Sequence, residues 1–209
     1  MIEPRRYRRS ESPTVFVIDD DPAVRQSVCW LVESGGRHVV AFESAQAFLD
    51  SYTPEQNGCV VTDVRMPGMS GLQLQEELFD RGCTIPVIIM TAYGDVATAV
   101  RAMKAGAIDF LEKPYNDQAL LDLIEEAVHK DDDIRREQMH GEAVRAKFNR
   151  LTQREQQVMR LVVQGQSNKM MADQLEITTK TIEAHRSKVM EKMEASSVAE
   201  LTQLAALCV

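Results

Sequence analysis

The stretch VVTDVRMPGMSG (residues 60–71) carries Val60, Val61 and Thr62 straight into Asp63, and then turns through Pro67, Gly68, Ser70 and Gly71. A short apolar run that finishes in a carboxylate and a tight loop is what a buried parallel strand looks like. In such sheets chemistry collects beyond the carboxyl ends of the strands. Four further runs resemble CVVTD (59–63) in length and content: TVFVI (14–18), HVVAF (38–42), PVIIM (86–90) and IDFL (108–111). They alternate with segments of helical spacing, PAVRQSVCWLVES (22–34), SAQAFLD (44–50), SGLQLQEELFDRG (70–82), DVATAVRAMKAG (95–106) and NDQALLDLIEEAV (116–128). Val24, Val28 and Leu31/Val32 share one face of the first, and Leu72, Leu74 and Leu78 cluster on the third. The pattern predicts five βα units, a doubly wound α/β domain with a five-stranded parallel sheet in flavodoxin-like order.

The strand ends carry the functional expectations. Asp19, Asp20 and Asp21 follow the first strand, Asp63 ends the third, Thr91 follows the fourth and Lys113 the fifth. Clustered carboxylates repel unless a cation neutralises them. Oxygen ligands without histidine point to a hard ion, Mg²⁺. Beside it Asp63 has the makings of a nucleophile that accepts a phosphoryl group as an acyl phosphate, with Lys113 neutralising the transferring oxygens and Thr91 hydrogen-bonding one of them. An aspartate after a strand is, taken singly, most often a cap or turn residue. Suitable chemistry at four separate strand ends is what favours a site. Asp21, just before Pro22, is expected to be an N-cap.

Composition bounds the rest. The chain has 209 residues, 44 % apolar, with no apolar run long enough to span a bilayer and no secretory signal, so a cytoplasmic protein without membrane contact is expected. Cys29, Cys59, Cys83 and Cys208 are scattered, with neither disulfide nor zinc spacing, and read as small apolar residues. The formal net charge is −8, but the basic residues are outnumbered only in the first part. Arg150, Arg154, Arg160, Lys169, Lys180, Arg186, Lys188 and Lys192 outweigh the acids between residues 149 and 192. Two domains with different partners fit this split.

HKDDDIRREQMHGEAVRAKFNR (129–150) is highly charged and free of proline, and its apolar positions continue the preceding helix's rhythm, so a helical linker is expected, with Gly141 the place for any break. Beyond it Thr152 and Glu155 form a predicted capping box, and Gly165 closes the helix they open. A short helix, a turn at Ile177 and Thr178, and a longer helix follow. The longer helix has an apolar face of Ile182, Val189 and Met193 and a polar face of Lys180, Thr181, His185, Arg186 and Lys188. That is helix-turn-helix organisation, followed by a fourth helix in SSVAELTQLAAL (196–207).

VIDDDP, VVTDVRMPGMSG, IIMTAYGD and GAIDFLEKP together resemble the receiver domain of two-component response regulators, over about residues 13–129. The resemblance implies Asp63 as phosphoacceptor and Asp19, Asp20, Asp63 and the backbone carbonyl of Arg65 as the Mg²⁺ site. It also implies Thr91 as switch hydroxyl, Lys113 as phosphoryl contact, a cis Lys113–Pro114 bond, and Phe110 in place of the aromatic switch residue. LTQREQQVMRLVVQGQSNKMMADQLEITTKTIEAHRSKVMEKM (151–193) resembles the LuxR/FixJ-type DNA-binding domain, with Lys180, Thr181, His185, Arg186 and Lys188 at its DNA-contacting positions. The order of the two is that of the NarL/FixJ class, and the linker with TVFVIDDDPAVR is most similar to regulators of aromatic-hydrocarbon catabolism.

The expected organisation is a basic disordered tail (1–12), a receiver (13–128), a helical linker (129–148) and an all-α DNA-binding domain (149–209). The expected function is a phosphorylation-dependent transcriptional activator rather than a turnover enzyme. Its expected partners are a sensor histidine kinase, double-stranded DNA, RNA polymerase and a second copy of itself on phosphorylation. Two alternatives stand: a phospho-dependent module whose helical part binds protein or RNA, and a metal-dependent phosphohydrolase. The second would need a carboxylate two positions after its nucleophile, where Arg65 stands.

Overall fold

The structure is a computed structural model that describes residues 12–92 and 96–208, and the side chains of all of these but 96–98. Apart from Ser12, the basic tail lies outside the described residues. The chain divides into two compact units, one ending at Ile134 and one beginning at Arg135.

In the first unit the strands β1 (Thr14–Ile18), β2 (His38–Phe42), β3 (Gly58–Asp63), β4 (Val87–Thr91) and β5 (Asp109–Glu112) form one parallel sheet in the order β2-β1-β3-β4-β5. Alternation within each strand feeds two cores, because successive side chains leave opposite faces. Val15, Val17, Cys59, Val61, Ile88 and Met90 pack against α1 (Pro22–Ser34) and the first part of α5 (Asp117–Phe148). Phe16, Ile18, Val60, Val87 and Ile89 pack against α2 (Ala45–Ser51), α3 (Gly71–Asp80) and α4 (Val96–Lys104). The near-continuous apolar character of β1, β3 and β4 follows from burial on both sides, and edge strand β2 is correspondingly less buried.

The helices start where the sequence offers caps. The Asp21 carboxylate accepts from the N–H groups of Ala23 and Val24 ahead of Pro22, and Ser70 with Gln73 forms a capping box on α3. α5 runs without interruption through Gly141 to Phe148. Its charged stretch still belongs partly to the receiver fold, for Asp131 is 1 % exposed and its Oδ2 accepts the Gly58 N–H at 2.9 Å. Gly58 itself admits no side chain: a Cβ there would lie 1.9 Å from the Thr14 carbonyl oxygen.

The second unit is all helical. α6 (Gln153–Val163), α7 (Asn168–Leu175), α8 (Thr179–Met193) and α9 (Val198–Ala206) bury Val158, Met159, Met171, Ile182, Val189, Met193 and Leu201. The predicted Thr152–Glu155 capping box is present, and the predicted inner face of α8 is the buried one. The turn between α7 and α8 begins one residue earlier than read from sequence, because Glu176 takes the left-handed conformation (φ 55°) that ends α7. Glycine or asparagine is the usual sign of that cap, and neither is here.

Candidate phosphoacceptor and nucleic-acid sites

The sheet order reverses between β1 and β3, so the crevice beyond their carboxyl ends is where a doubly wound fold binds its ligand. Asp19 and Asp20 stand at one side of this crevice and Asp63 at the other, with Thr91 and Lys113 arriving from β4 and β5. The Lys113 ammonium bridges the two buried carboxylates, 2.7 Å from Asp63 Oδ1 and 2.9 Å from Asp19 Oδ2. Their remaining oxygens are held by main chain: Arg65 N–H donates to Asp63 Oδ2 at 2.7 Å, and Asp21 N–H to Asp19 Oδ1 at 2.9 Å. Lys113 is aimed inward by its own backbone, whose N–H donates to the Thr91 carbonyl at 2.7 Å before the cis peptide to Pro114. Thr91 is buried at the end of β4, and Phe110, on edge strand β5, is half-buried against the core that α2, α3 and α4 cover together.

The loop after Asp63 is drawn tightly over the strand end. Gly71 N–H donates to the Val64 carbonyl, and a Cβ on Gly71 would sit 2.3 Å from the Asp63 carbonyl oxygen, so this position takes glycine only. Gly68 supplies the left-handed turn (φ 78°) that reverses the chain.

Burial pushes the Asp19 carboxyl above its ordinary range, against the Lys113 hydrogen bond that works to lower it. Burial alone would lower Lys113, but its hydrogen bonds to Asp63 and Asp19 outweigh this and hold the ammonium above its usual value, so it stays charged. The Arg25 guanidinium donates to the main-chain carbonyls of Asp19 (2.6 Å) and Asp20 (3.3 Å). Sequence reading missed this contact, since an arginine in a first helical turn looks like any solvated base.

Asp20 is exposed and stands apart from the Lys113 bridge. Among the described residues no three His, Cys, Asp or Glu side chains form a ready ligand group. The donors nonetheless suit a hard cation: each is a carboxylate or carbonyl oxygen, and the carboxylates outnumber the Lys113 ammonium.

In the second unit Lys180, Thr181 and Lys188 are exposed along α8, while His185 and Arg186 are half-buried. Thr181 shares a hydroxyl hydrogen bond with the N-cap Thr178 at 2.8 Å, and Arg186 donates to Asn168 Oδ1 on α7. Arg186 thus ties the two helices of the motif together. The scaffold beneath is fixed by Glu155, 3 % exposed, whose Oε2 accepts from Lys192 at 2.6 Å and from Thr152 N–H at 2.8 Å. Arg154 donates to the Leu175 carbonyl at 2.8 Å, closing the end of α7.

Comparison with known proteins agrees with both halves. Residues 15–125 match the response regulator receiver domain, and residues 149–205 match the luxR family of bacterial regulatory proteins. The chain is 47 % identical over 197 residues to the transcriptional regulatory protein FixJ of Azorhizobium caulinodans, covering 94 % of this chain and 93 % of that protein. It is 41 % identical to the transcriptional regulatory protein TdiR of Thauera aromatica, over 93 % of this chain and 86 % of that one. Among solved structures it is similar to the response regulator StyR, with a TM-score of 0.82 and 45 % identity over 93 % of this chain and 98 % of that one. The chain belongs to the response regulators that join a receiver domain to a LuxR-type helix-turn-helix output domain. It is a phosphorylation-regulated, DNA-binding transcriptional regulator, and members of its class are paired with a sensor histidine kinase and use Mg²⁺ in the phosphorylation chemistry. No described helix is long and apolar enough to cross a membrane.

Proposed function

We propose that Asp63 is the phosphoacceptor and that its modification controls DNA binding through α8. The supporting observation is the position of the Lys113 ammonium, within hydrogen-bond distance of both Asp63 and Asp19 at the sheet's switch point. An Asp63 oxygen attacks the phosphorus of a phosphohistidine on the kinase. The new P–O bond forms as the P–N bond breaks, and the imidazole leaves with the electron pair and takes up a proton. Lys113 has three N–H donors, two of them on carboxylates, and can turn one to the phosphoryl oxygens. The Thr91 hydroxyl donates to another, and the main-chain N–H of Arg65, already 2.7 Å from Asp63 Oδ2, helps fix the attacking carboxylate. Asp19, Asp20, Asp63 and the Arg65 carbonyl would hold Mg²⁺, which when bound neutralises charge on the transferring group.

Lys180, Thr181, His185, Arg186 and Lys188 form the DNA-reading surface. α8 lies in the major groove of operator DNA, the phosphorylated chain pairs two-fold over related half-sites, and RNA polymerase is the downstream partner. Cytoplasmic location goes with this reading. The receiver and linker resemblance to regulators of aromatic catabolism is part of it too, although 47 % identity to a FixJ and 45 % to StyR favour neither regulon.

One experiment addresses both halves. Treated with acetyl phosphate and Mg²⁺, the wild-type chain should acquire a hydroxylamine-sensitive label and bind duplex operator DNA more tightly, while Asp63→Asn stays unlabelled and unresponsive. Stoichiometric acid-labile label on Asp63→Asn would exclude that acceptor. Labelled wild type that binds no duplex at low salt would transfer the output role to a protein or RNA partner.

A further inference from the structure

We infer that Arg25 is a positioning residue of the phosphorylation site: by gripping the main-chain carbonyls of Asp19 and Asp20 it aims both carboxylates into the crevice, an inference that rests on reading these two aspartates as metal ligands. β1 ends at Ile18 and α1 begins at Pro22, so the carbonyls of Asp19 and Asp20 lie beyond the strand and ahead of the helix. Buried or not, such groups call for a partner of their own. Arg25 is the fourth residue of α1, and side chains of a helix lean towards its N-terminus, so the guanidinium reaches back over the first turn to this loop. Its Nη1 donates to the Asp19 carbonyl at 2.6 Å and to the Asp20 carbonyl at 3.3 Å. The side chain is half-buried, and a guanidinium keeps its charge at any ordinary pH, so the grip does not depend on protonation.

The two carbonyls stand where they control the carboxylates. The Asp20 carbonyl belongs to the same peptide group as the Asp21 N–H, which donates to Asp19 Oδ1 at 2.9 Å. A cation on the oxygen of that peptide fixes its plane and strengthens its N–H as a donor. Asp19 Oδ2 in turn accepts from Lys113 Nζ at 2.9 Å, and the same ammonium reaches Asp63 Oδ1 at 2.7 Å. A continuous line of hydrogen bonds therefore runs from α1 to Asp63, and Arg25 anchors it. The Asp19 carbonyl belongs to the peptide group that enters Asp20, so fixing it sets the direction in which the Asp20 side chain leaves the main chain. Asp20 is exposed, unlike Asp19, so packing does not aim its carboxylate and the main chain must. Groups that hold ligands in place in this way typically carry about ten-fold to a hundred-fold of a site's metal affinity.

Charge and position predict opposite signs for the loss of this side chain. A guanidinium beside a cation site opposes the ion by charge alone, so if charge were its only effect Arg25→Met would bind Mg²⁺ more tightly than wild type. Positioning predicts the reverse: binding about ten-fold weaker in Mg²⁺ titrations of the ¹⁵N-labelled full-length chain, followed through the Asp19, Asp20 and Asp21 amides. Before any Mg²⁺ is added, the Asp21 amide should already have moved upfield in Arg25→Met, because its bond to Asp19 Oδ1 loosens. Arg25→Lys, which keeps a donor on a stem about one bond shorter, should recover part of both. Asp20→Asn is the control for the metal site itself and should also weaken Mg²⁺. The inference is overturned if Arg25→Met binds Mg²⁺ as tightly as wild type or more so, or leaves the Asp21 amide in place. A lower unfolding midpoint with both of these unmoved would make Arg25 a support for the fold only. If Asp20→Asn also binds Mg²⁺ like wild type, the ligand assignment falls as well.

Discussion

Asp19 is nearly sealed from water, yet the role proposed for it as a metal ligand calls for a carboxylate, and its surroundings show the conflict. Burial lifts its folded-state pKa above the unfolded value of about 3.9. Between the two values the folded chain therefore holds more proton than the unfolded chain, and Asp19 removes stability as pH rises through that window. Asp19→Asn keeps an acceptor for the Asp21 N–H and leaves Lys113 its bond to Asp63. The variant should be more stable than wild type at pH 7 by about 1 kcal/mol, with the gain shrinking towards pH 4 in urea titrations, while phosphorylation is lost. An unfolding midpoint at pH 7 equal to or below wild type would contradict this. That Asp19, Asp20, Asp63, Thr91 and Lys113 would stand at strand ends was legible, because that placement is read from position alone. The Arg25 contacts were not, since they depend on where a side chain lands after packing.

At the scale of elements, legibility follows how local the cause is. Strand β1 and helix α1 match their sequence patterns to the residue, and the caps at Asp21 and Thr152 are fixed within three or four positions. β4 and β5 are each displaced by one residue, because pairing to a neighbour rather than composition decides where a ladder stops. Glu176 and Glu194, both at φ 55°, end α7 and α8 without the residue types that announce such caps. The Glu155–Lys192 pair joins the start of α6 to the end of α8, a link no local pattern reveals. For Glu155, burial acts to raise the pKa, but the Lys192 and Thr152 hydrogen bonds prevail and hold the carboxyl below its ordinary range. Its stabilisation is thus complete above the unfolded value of about 4.3 and lost as pH falls through the folded one. Glu155→Gln should cost the output domain about 1–3 kcal/mol at neutral pH, with the deficit narrowing in acid. Trp30 is the chain's only tryptophan and lies in α1, so its fluorescence follows the receiver. The far-UV transition it does not share reports the output domain, and an unmoved transition there would refute the assignment.

Across the whole molecule, the charged run after Val128 was read as helix from its rhythm and its lack of proline, and α5 continues through it. Gly141 offered the sequence a place to stop, because glycine costs about 1 kcal/mol in a helix interior. Nothing lies within 4 Å of where its Cβ would be, so Gly141→Ala should add helicity and about 0.5–1 kcal/mol of stability. Lower ellipticity in that variant would show that the glycine has a conformational role. The compact unit that holds the sheet runs to Ile134, and within it Asp131, buried in a charged series, accepts from the Gly58 N–H. That contact bears on how such chains are recombined. A fusion joint placed just after Val128, where the receiver's sequence signature has ended, would remove the acceptor of a buried amide at the start of β3 and weaken the donor module. A joint placed after Ile134 carries the receiver away intact, so exchange of output domains is tolerated at one point of the helix and penalised a turn and a half earlier.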